Sequence, residues 1–302
     1  MAFKKSNRKK GQTNFIPTQS KKSVQQEVEQ KRKNTAKVKP KPKFKPKKKP
    51  QQPASKPQPT TEAEIIGMRL NKFVAKSGIC SRRQAAEYVK EGLVKVNEQE
   101  ERNPAYQIQQ GDVVFFKDKP IQPQMKRIYL LMNKPKNTIT TLSDDRGRKT
   151  VMDLIDGKIE ERIFPVGRLD RDTTGLLLLT NDGDLAKKMS HPSHGIRKVY
   201  HVTTDKPVIK ADIQKIRMGL ELEDGVVQVD AVDYVRNAPR TEVGIVIHVG
   251  RNRIVRRIFE HLGYEVKKLD RTAYGPLTKK DLPRGFFRSL SEQEIVTLKH
   301  LS

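Results

Sequence analysis

Residues 164–183 read FPVGRLDRDTTGLLLLTNDG, a charged loop set between two apolar segments. The leucine run after the loop is bounded by a turn signal and predicts a buried strand over 176–180. A carboxylate in the loop would lie beside Arg168 and Arg171, and nearby cations keep a carboxylate ionised at neutral pH. An ionised, positioned carboxylate can act as a nucleophile or a base. On these residues alone, a surface loop with ordinary ion pairs is the alternative.

The segments around this stretch predict a mixed domain over residues 128–302. Strand patterns occur at 128–132, at 198–203, where successive residues alternate in character, and at 243–249. Residues 255–263 place their apolar side chains on one helical face and end in a glycine that can cap the helix. Strands with interspersed helices in irregular order indicate an α+β domain with a mostly antiparallel sheet.

A smaller module precedes this domain over residues 68–115. Apolar residues from Leu70 onward repeat at helical spacing and predict one helix. Ser81, followed three residues later by Gln84, is a capping-box signature that predicts a second helix. Valines and phenylalanines further along indicate short strands. We expect a linker over 116–127 to join the module to the larger domain.

The net charge is strongly positive, because 62 Lys and Arg residues face 35 Asp and Glu, which gives +27. Such a surplus points to a polyanionic partner: nucleic acid first, an anionic membrane surface second. A basic protein that is merely soluble is the third interpretation. Residues 1–60 hold 19 of the basic residues and only two acids, Glu27 and Glu29. We expect residues 1–62 to be a disordered basic arm that neutralises phosphates, with a solubilising tail as the equal alternative.

Several function classes lack their sequence signals. Cys80 is the single cysteine, so no disulfide can form within the chain and a reducing compartment, the cytoplasm, is expected. No apolar run approaches the roughly 20 residues that span a bilayer, and no secretory signal is expected. A Gly-rich phosphate loop and a dinucleotide fingerprint are both absent from the sequence. His191 and His194 flank Pro192 without a cysteine nearby, so we expect no metal site there.

The smaller module closely resembles the S4 RNA-binding domain. The likeness rests on MRLNKF at 68–73, SRRQA at 81–85 and VKVN at 94–97, which match in order and spacing. In that family the paired helices present basic residues to structured RNA. The resemblance implies RNA contacts by Arg69, Lys72, Lys76, Arg82 and Arg83.

The larger domain resembles the RsuA/RluB family of pseudouridine synthases. Gly167–Asp170 followed by TGLLLLTNDG at 174–183 is similar to the family signature, and Lys198-Val199-Tyr200 is similar to its Lys-x-Tyr strand. The segment 250–259 resembles the one that holds the family's basic active-site residue. Ile254 departs from the pattern, since relatives often carry Gln or Glu there.

The resemblance implies a role for each matching residue. Asp170 is the implied catalytic carboxylate, Tyr200 the ring that packs on the target base, and Arg256 the partner that orients Asp170. In the family the uracil is detached from its ribose, rotated and rejoined through C5, so the base must first leave its stack. No cofactor and no metal are implied. Further phosphate contacts are expected from Arg168, Arg253 and Arg257.

The implied substrate is a uridine of ribosomal RNA, either free or in a ribosomal assembly intermediate. The segment 251–276 looks closest to the branch that modifies large-subunit (23S) RNA. Two alternatives stay open: a synthase for 16S RNA, and a non-catalytic RNA-binding factor for ribosome assembly on the same scaffold. We expect a cytoplasmic monomer with no membrane partner.

Overall fold

A computed structural model of the protein describes residues 65–124 and 126–301. The basic arm expected over residues 1–62 lies outside the described residues. Within those two ranges, no helix is both long enough and apolar enough to cross a membrane.

The small module is a pair of helices packed on a short antiparallel sheet. Its elements are α1 (Leu70–Lys76), α2 (Arg82–Lys90), β1 (Val94–Val96), β2 (Gln99–Glu100), β3 (Val114–Phe116) and β4 (Lys119–Ile121). The Ser81 hydroxyl accepts a hydrogen bond from the Gln84 backbone N–H at 3.2 Å, so the predicted cap does start α2. Apolar residues of helices and sheet, among them Phe73 and Val89, form one buried cluster.

The small sheet extends beyond the boundary expected at residue 115. Lys117 and Asp118 both have positive φ, 48° and 61°, and form the two-residue turn that joins β3 to β4. Residues up to Ile121 therefore belong to the small sheet, so β4 lies inside the segment 116–127 that was expected to be a linker. A Lys-Asp pair is not among the usual sequence signals for such a turn, which is why the hairpin was not expected.

The larger domain is built on one extended sheet. Its elements are β5 (Tyr129–Lys134), β6 (Phe164–Val166), β7 (Thr174–Thr180), α3 (Gly183–Ser190), β8 (Lys198–Thr204), α4 (Lys210–Met218), β9 (Leu220–Leu222), β10 (Gly225–Val227), β11 (Ala231–Tyr234), β12 (Glu242–Ile247), α5 (Ile254–His261), β13 (Val266–Tyr274), β14 (Leu277–Thr278), β15 (Phe287–Ser289) and α6 (Glu292–His300).

The large sheet follows the order β11–β12–β8–β13–β7–β5–β15 among the described residues, with β6 and β14 paired at its side. Its strand pairs are antiparallel except β13 with β7. Alternate residues of β7 serve two cores: Leu177 and Leu179 face one cluster, Leu176 and Leu178 the other. The α+β prediction with a mostly antiparallel sheet is confirmed.

Gly175 allows β7 and β13 to approach closely in their parallel pairing. It has a φ of 107°, and a Cβ atom added there would lie 2.2 Å from the Arg271 carbonyl oxygen. No other residue fits this position without moving backbone. The close approach brings the charged loop before β7 next to β13, where the candidate site forms.

Candidate active site

A cleft of about 560 Å³ opens beside the loop that joins β6 to β7. Its walls come from that loop, from residues 139–148 and from residues 247–255, which lead into α5. Strands β8 and β13 supply buried side chains to it. The polar lining residues that bear on chemistry are Arg168, Asp170, Lys198, Tyr200, Arg253 and Arg271.

Asp170 lies on a short loop whose backbone is fixed from both sides. The Thr140 hydroxyl donates to the Leu169 carbonyl at 2.8 Å and accepts from the Leu169 N–H at 3.2 Å. The Thr173 N–H donates to the Asp170 carbonyl at 3.1 Å. The side chain of Asp170 is 36% exposed, so its carboxylate is partly desolvated but reachable from the cleft.

Lys134, at the end of β5, is hydrogen-bonded to the backbone of the same loop. The side chain is fully buried, and its Nζ donates to the carbonyls of Thr173 at 2.8 Å, Pro135 at 3.0 Å and Arg171 at 3.3 Å. Burial lowers the pKa of Lys134 to about 8, although the negative charge of Asp170 opposes that shift. The lysine therefore holds the loop backbone and places a positive charge near the Asp170 carboxylate.

Two arginines from the start of α5 face the Asp170 carboxylate. Arg253 Nη1 lies 3.8 Å and Arg256 Nε lies 3.9 Å from Asp170 Oδ2. Arg168 and Arg171, the loop cations expected beside the carboxylate, are both exposed, and within the described chain the ion pairs of Asp170 run to α5 instead. Neighbours in an extended loop point in different directions, whereas a residue distant in sequence can face the carboxylate directly.

Arg256 is the better buried of the two arginines. Its Nη1 donates to the Val266 carbonyl at 2.8 Å, which fixes the guanidinium against β13. Its Nε is buried without a hydrogen-bond partner in the described chain and faces Asp170 at a distance too long for a hydrogen bond. Such contacts are often long before substrate binds and shorten in the complex.

Tyr200 stands on the face of β8 that borders the cleft. Its side chain is buried, as are Lys198 and Val202, which alternate with it along the strand. Arg271 of β13 lies directly opposite Tyr200 in the strand register. A flat base entering the cleft would find the tyrosine ring with basic groups around it, and aromatic rings stack on bases readily.

The RNA contacts expected in the small module fall into two groups. Arg69, Arg82 and Arg83 are exposed and free to approach a phosphate. Lys72 and Lys76 instead form ion pairs with Asp184 of α3, at 3.3 Å and 3.9 Å. These two lysines thus join the small module to the larger domain, and an RNA phosphate would compete with a carboxylate for them.

The phosphate contacts expected in the larger domain also differ, since one arginine is exposed and another is bound to a carboxylate. Arg168 is exposed at the rim of the cleft, as a phosphate contact requires. Arg257 donates to both carboxylate oxygens of Asp224, at 2.5 Å and 2.9 Å, and this interaction lowers the pKa of Asp224 to about 2. Arg251 donates to the Asp224 carbonyl at 3.1 Å, so the two arginines fasten the β9–β10 turn to α5.

Lys134 and Thr140 were missed by reasoning from sequence. Lys134 ends a buried apolar strand and precedes a proline, a position that indicated only the end of that strand. A lysine at the end of an apolar strand was the signal that could have been used, because fully buried lysines are rare and need partners.

The described residues contain no group of three His, Cys, Asp or Glu side chains suited to hold a metal ion.

Two family models match the chain, in the order that its modules suggest. The S4 domain model matches residues 68–114, and the model of RNA pseudouridylate synthase matches residues 128–261. A solved structure described as a pseudouridylate synthase superposes with a TM-score of 0.55 at 30% sequence identity, covering 76% of this chain and 99% of the other.

Several bacterial proteins are similar over most of their length. An uncharacterised RNA pseudouridine synthase of Aquifex aeolicus is 40% identical over 234 residues, covering 76% of this chain and 93% of the relative. The ribosomal large subunit pseudouridine synthase B of Bacillus subtilis is 38% identical, covering 78% and 96%. A dual-specificity RNA pseudouridine synthase of Escherichia coli is 36% identical, covering 76% and 78%.

Proposed function

The chain belongs to the RNA pseudouridylate synthase family and is an isomerase, and we propose that it converts a uridine of large-subunit ribosomal RNA to pseudouridine. The observation that carries the proposal is the Asp170 carboxylate, held on an anchored loop opposite Arg253 and Arg256. Tyr200 lines the same cleft. We further propose that the protein acts as a monomer in the bacterial cytoplasm.

The proposed reaction needs a carboxylate and an aromatic ring that stacks on the base. The product is an isomer of the substrate, so no redox partner is required. The bond from ribose C1′ to uracil N1 breaks, a bond from C1′ to C5 forms, the C5 hydrogen leaves to solvent and N1 takes up a proton. Asp170 serves as the nucleophile at C1′ or as the base for a ribose proton. Arg253 and Arg256 hold it in position, while Tyr200 stacks on the extruded base.

A ribosomal RNA substrate fits the charge of the chain and the names of its relatives. The excess of 27 positive charges suits an RNA partner, and the similar protein of Bacillus subtilis is named for the large ribosomal subunit. We assign phosphate contacts to the exposed Arg69, Arg82, Arg83 and Arg168.

The test is to map pseudouridines in ribosomal RNA from cells that lack the gene. We expect one position in 23S RNA to lose its pseudouridine. Native protein should restore it, and Asp170→Asn, made at the same level, should not. Loss of a position in 16S RNA would overturn the large-subunit assignment. An unchanged map, with ribosome assembly slowed, would favour the non-catalytic assembly factor.

A further inference from the structure

Three side chains on one face of the sheet form the floor of the cleft. Tyr200 and Arg271 lie directly opposite each other on the neighbouring strands β8 and β13. Lys198 is two residues before Tyr200 on β8 and therefore projects from the same face. Directly opposed residues have Cβ atoms roughly 5 Å apart, which places Arg271 beside Tyr200, with Lys198 next along the same face of β8.

Arg271 is almost completely buried, with 3% of its surface exposed. Its Nε donates to the Leu176 carbonyl at 2.7 Å, and its guanidinium lies over the Tyr274 ring at 4.5 Å. These contacts fix the orientation of the group. Its Nη2 nevertheless has no hydrogen-bond partner in the described chain.

Lys198 is also buried, with 8% of its surface exposed, and its Nζ donates to the His248 carbonyl at 2.6 Å. Burial and the positive charge of Arg271 together lower the pKa of Lys198 to about 8, although the negative charge of Asp230 opposes that shift. Across the described residues, neither Lys198 nor Arg271 has a carboxylate at ion-pair distance. Two cations therefore line the floor of the cleft, each largely out of water and neither in an ion pair within the described chain, although the negative charge of Asp230 acts on Lys198 from a greater distance.

Such an arrangement is costly in the empty protein, since a buried charge needs a partner and a buried N–H needs an acceptor. A ligand with electron-rich oxygens would supply both. Phosphates of the RNA have other partners available, because Arg168 is exposed at the rim of the cleft. The group that reaches the floor beside Tyr200 is the base.

We infer that Lys198 and Arg271 bind the carbonyl oxygens of the extruded uracil and stabilise the negative charge that the base carries during the reaction. The inference rests on the proposed function. When the bond from C1′ to N1 breaks, its electron pair stays on the uracil and spreads onto O2 and O4. That charge is neutralised when C5 bonds to C1′; C5 then loses its proton to solvent and N1 takes up a proton. Fixed cations beside these oxygens favour the charged intermediate over the neutral substrate.

The first test measures turnover and RNA affinity separately for Lys198→Met. We expect kcat to fall by about 100-fold while the dissociation constant for substrate RNA changes less than about threefold, because the contact strengthens only as charge develops. Lys198→Arg, which restores the charge, should recover part of the loss. Lys210→Met, an exposed lysine of α4, is the matched control and should keep native kcat.

Stability distinguishes this role from a purely structural one. Lys198→Met removes a buried charge that has no carboxylate at ion-pair distance, which offsets the loss of the hydrogen bond to the His248 carbonyl, so the melting temperature should stay close to native. A lowered melting temperature with native kcat would mean that Lys198 only supports the fold. Weakened RNA binding with native kcat would mean that the pair holds a phosphate. Either result overturns the inference.

Sulfur substitution in the substrate tests the contact itself. RNA with 2-thiouridine or 4-thiouridine at the target presents a weaker acceptor, so native protein should convert one of them more slowly than uridine. In Lys198→Met that sulfur penalty should shrink, since the partner is already gone. An equal penalty in both proteins would contradict the contact. A native protein that converts no uridine would instead refute the proposed function.

Discussion

Lys134 is the residue on which the geometry of the active-site loop depends. Two of its three carbonyl partners, Arg171 and Thr173, belong to this loop, and the third, Pro135, follows β5 beside it. Replacing it by methionine fills the space but leaves buried carbonyls without a donor, and each such loss is costly.

We therefore expect Lys134→Met to lower the free energy of unfolding by about 2 kcal/mol or more, measured in urea at pH 7. The freed loop should also lower kcat by about 10-fold or more, because Asp170 is no longer held in place. The control is Lys136→Met, two residues along and exposed, which should match native protein. Native stability and activity in Lys134→Met would show that the loop keeps its conformation without this lysine.

The depressed pKa of Lys134 adds a pH dependence with a defined sign. In the folded chain the lysine loses its proton near pH 8, whereas in the unfolded chain its pKa has the ordinary value of 10.5. Between these values the unfolded state binds more protons, so the contribution of Lys134 to stability rises with pH. The free energy of unfolding of native protein, relative to Lys134→Met, should rise from pH 8 to 10. A flat or falling difference would contradict the burial described here.

For single residues, the sequence indicated which side chains could carry chemistry better than it indicated which side chains contact each other. Asp170 could be picked out from its motif, but its contact with Arg253 spans 83 positions and depends on the left-handed backbone of Arg253, with a φ of 45°. An arginine rarely adopts that conformation, which costs on the order of 1 kcal/mol and is kept here because it directs the residue to the cleft. Sequence reasoning assigned Arg253 to phosphate instead.

The parallel pair of β7 and β13 is the element that assembles the site. It sets Asp170, at one end of β7, beside the strand that carries Arg271. The pairing depends on Gly175, whose missing side chain leaves room for the Arg271 backbone.

Gly175→Ala should lower the free energy of unfolding by about 2–4 kcal/mol, since its Cβ would overlap backbone and its φ of 107° is strained for alanine. Chemical denaturation measures the loss. Gly183→Ala is the control: it begins α3 and has open space around it, so its stability should stay within about 0.5 kcal/mol of native. A native-like Gly175→Ala would mean that the two strands can separate at no cost.

Elements were predicted better than their arrangement. The apolar runs gave β5, β7 and β12 close to their bounds, and the Ser81 cap gave α2. Register and neighbour order were not predictable, because they follow from which faces bury each other across the whole chain. The parallel contact of β7 with β13 is such a case, because the residues around Gly175 do not indicate which strand pairs with β7.

The two modules of the described chain meet through charged groups that could also serve RNA. Lys72 and Lys76 of α1 pair with Asp184, and Arg82, Arg162 and Lys187 line the same inter-module cleft. Asp184 is therefore an acidic group in a basic surrounding, and an RNA phosphate at this cleft would compete with it for the two lysines. The expectation that both lysines simply face RNA did not anticipate this competition.

Asp184→Asn should tighten RNA binding by about three- to tenfold at low salt, because two lysines lose their competing partner. The salt dependence of the binding constant should become steeper by the same reasoning. Asp118→Asn, which releases the exposed Lys95 on the small sheet, controls for a general change of net charge. Weaker RNA binding by Asp184→Asn would mean that the carboxylate is needed to keep the modules in a binding geometry.

The arm is tested by deletion, since residues 1–60 alone carry 17 of the 27 excess positive charges, from 19 basic and two acidic residues. A protein lacking residues 1–62 should show a flatter salt dependence of RNA binding with unchanged kcat at saturating RNA. An unchanged slope would leave the arm a solubilising tail.

The most direct test of the whole account is tritium release from ribosomal RNA labelled at uracil C5, taken from cells that lack the gene. Forming the bond at C5 must expel that hydrogen. We expect release by native protein, and none by Asp170→Asn, which should bind the RNA within about threefold of native affinity. Release by Asp170→Asn at the native rate would contradict the role of the carboxylate. No release by native protein, on free RNA and on ribosomal particles alike, would contradict the account itself.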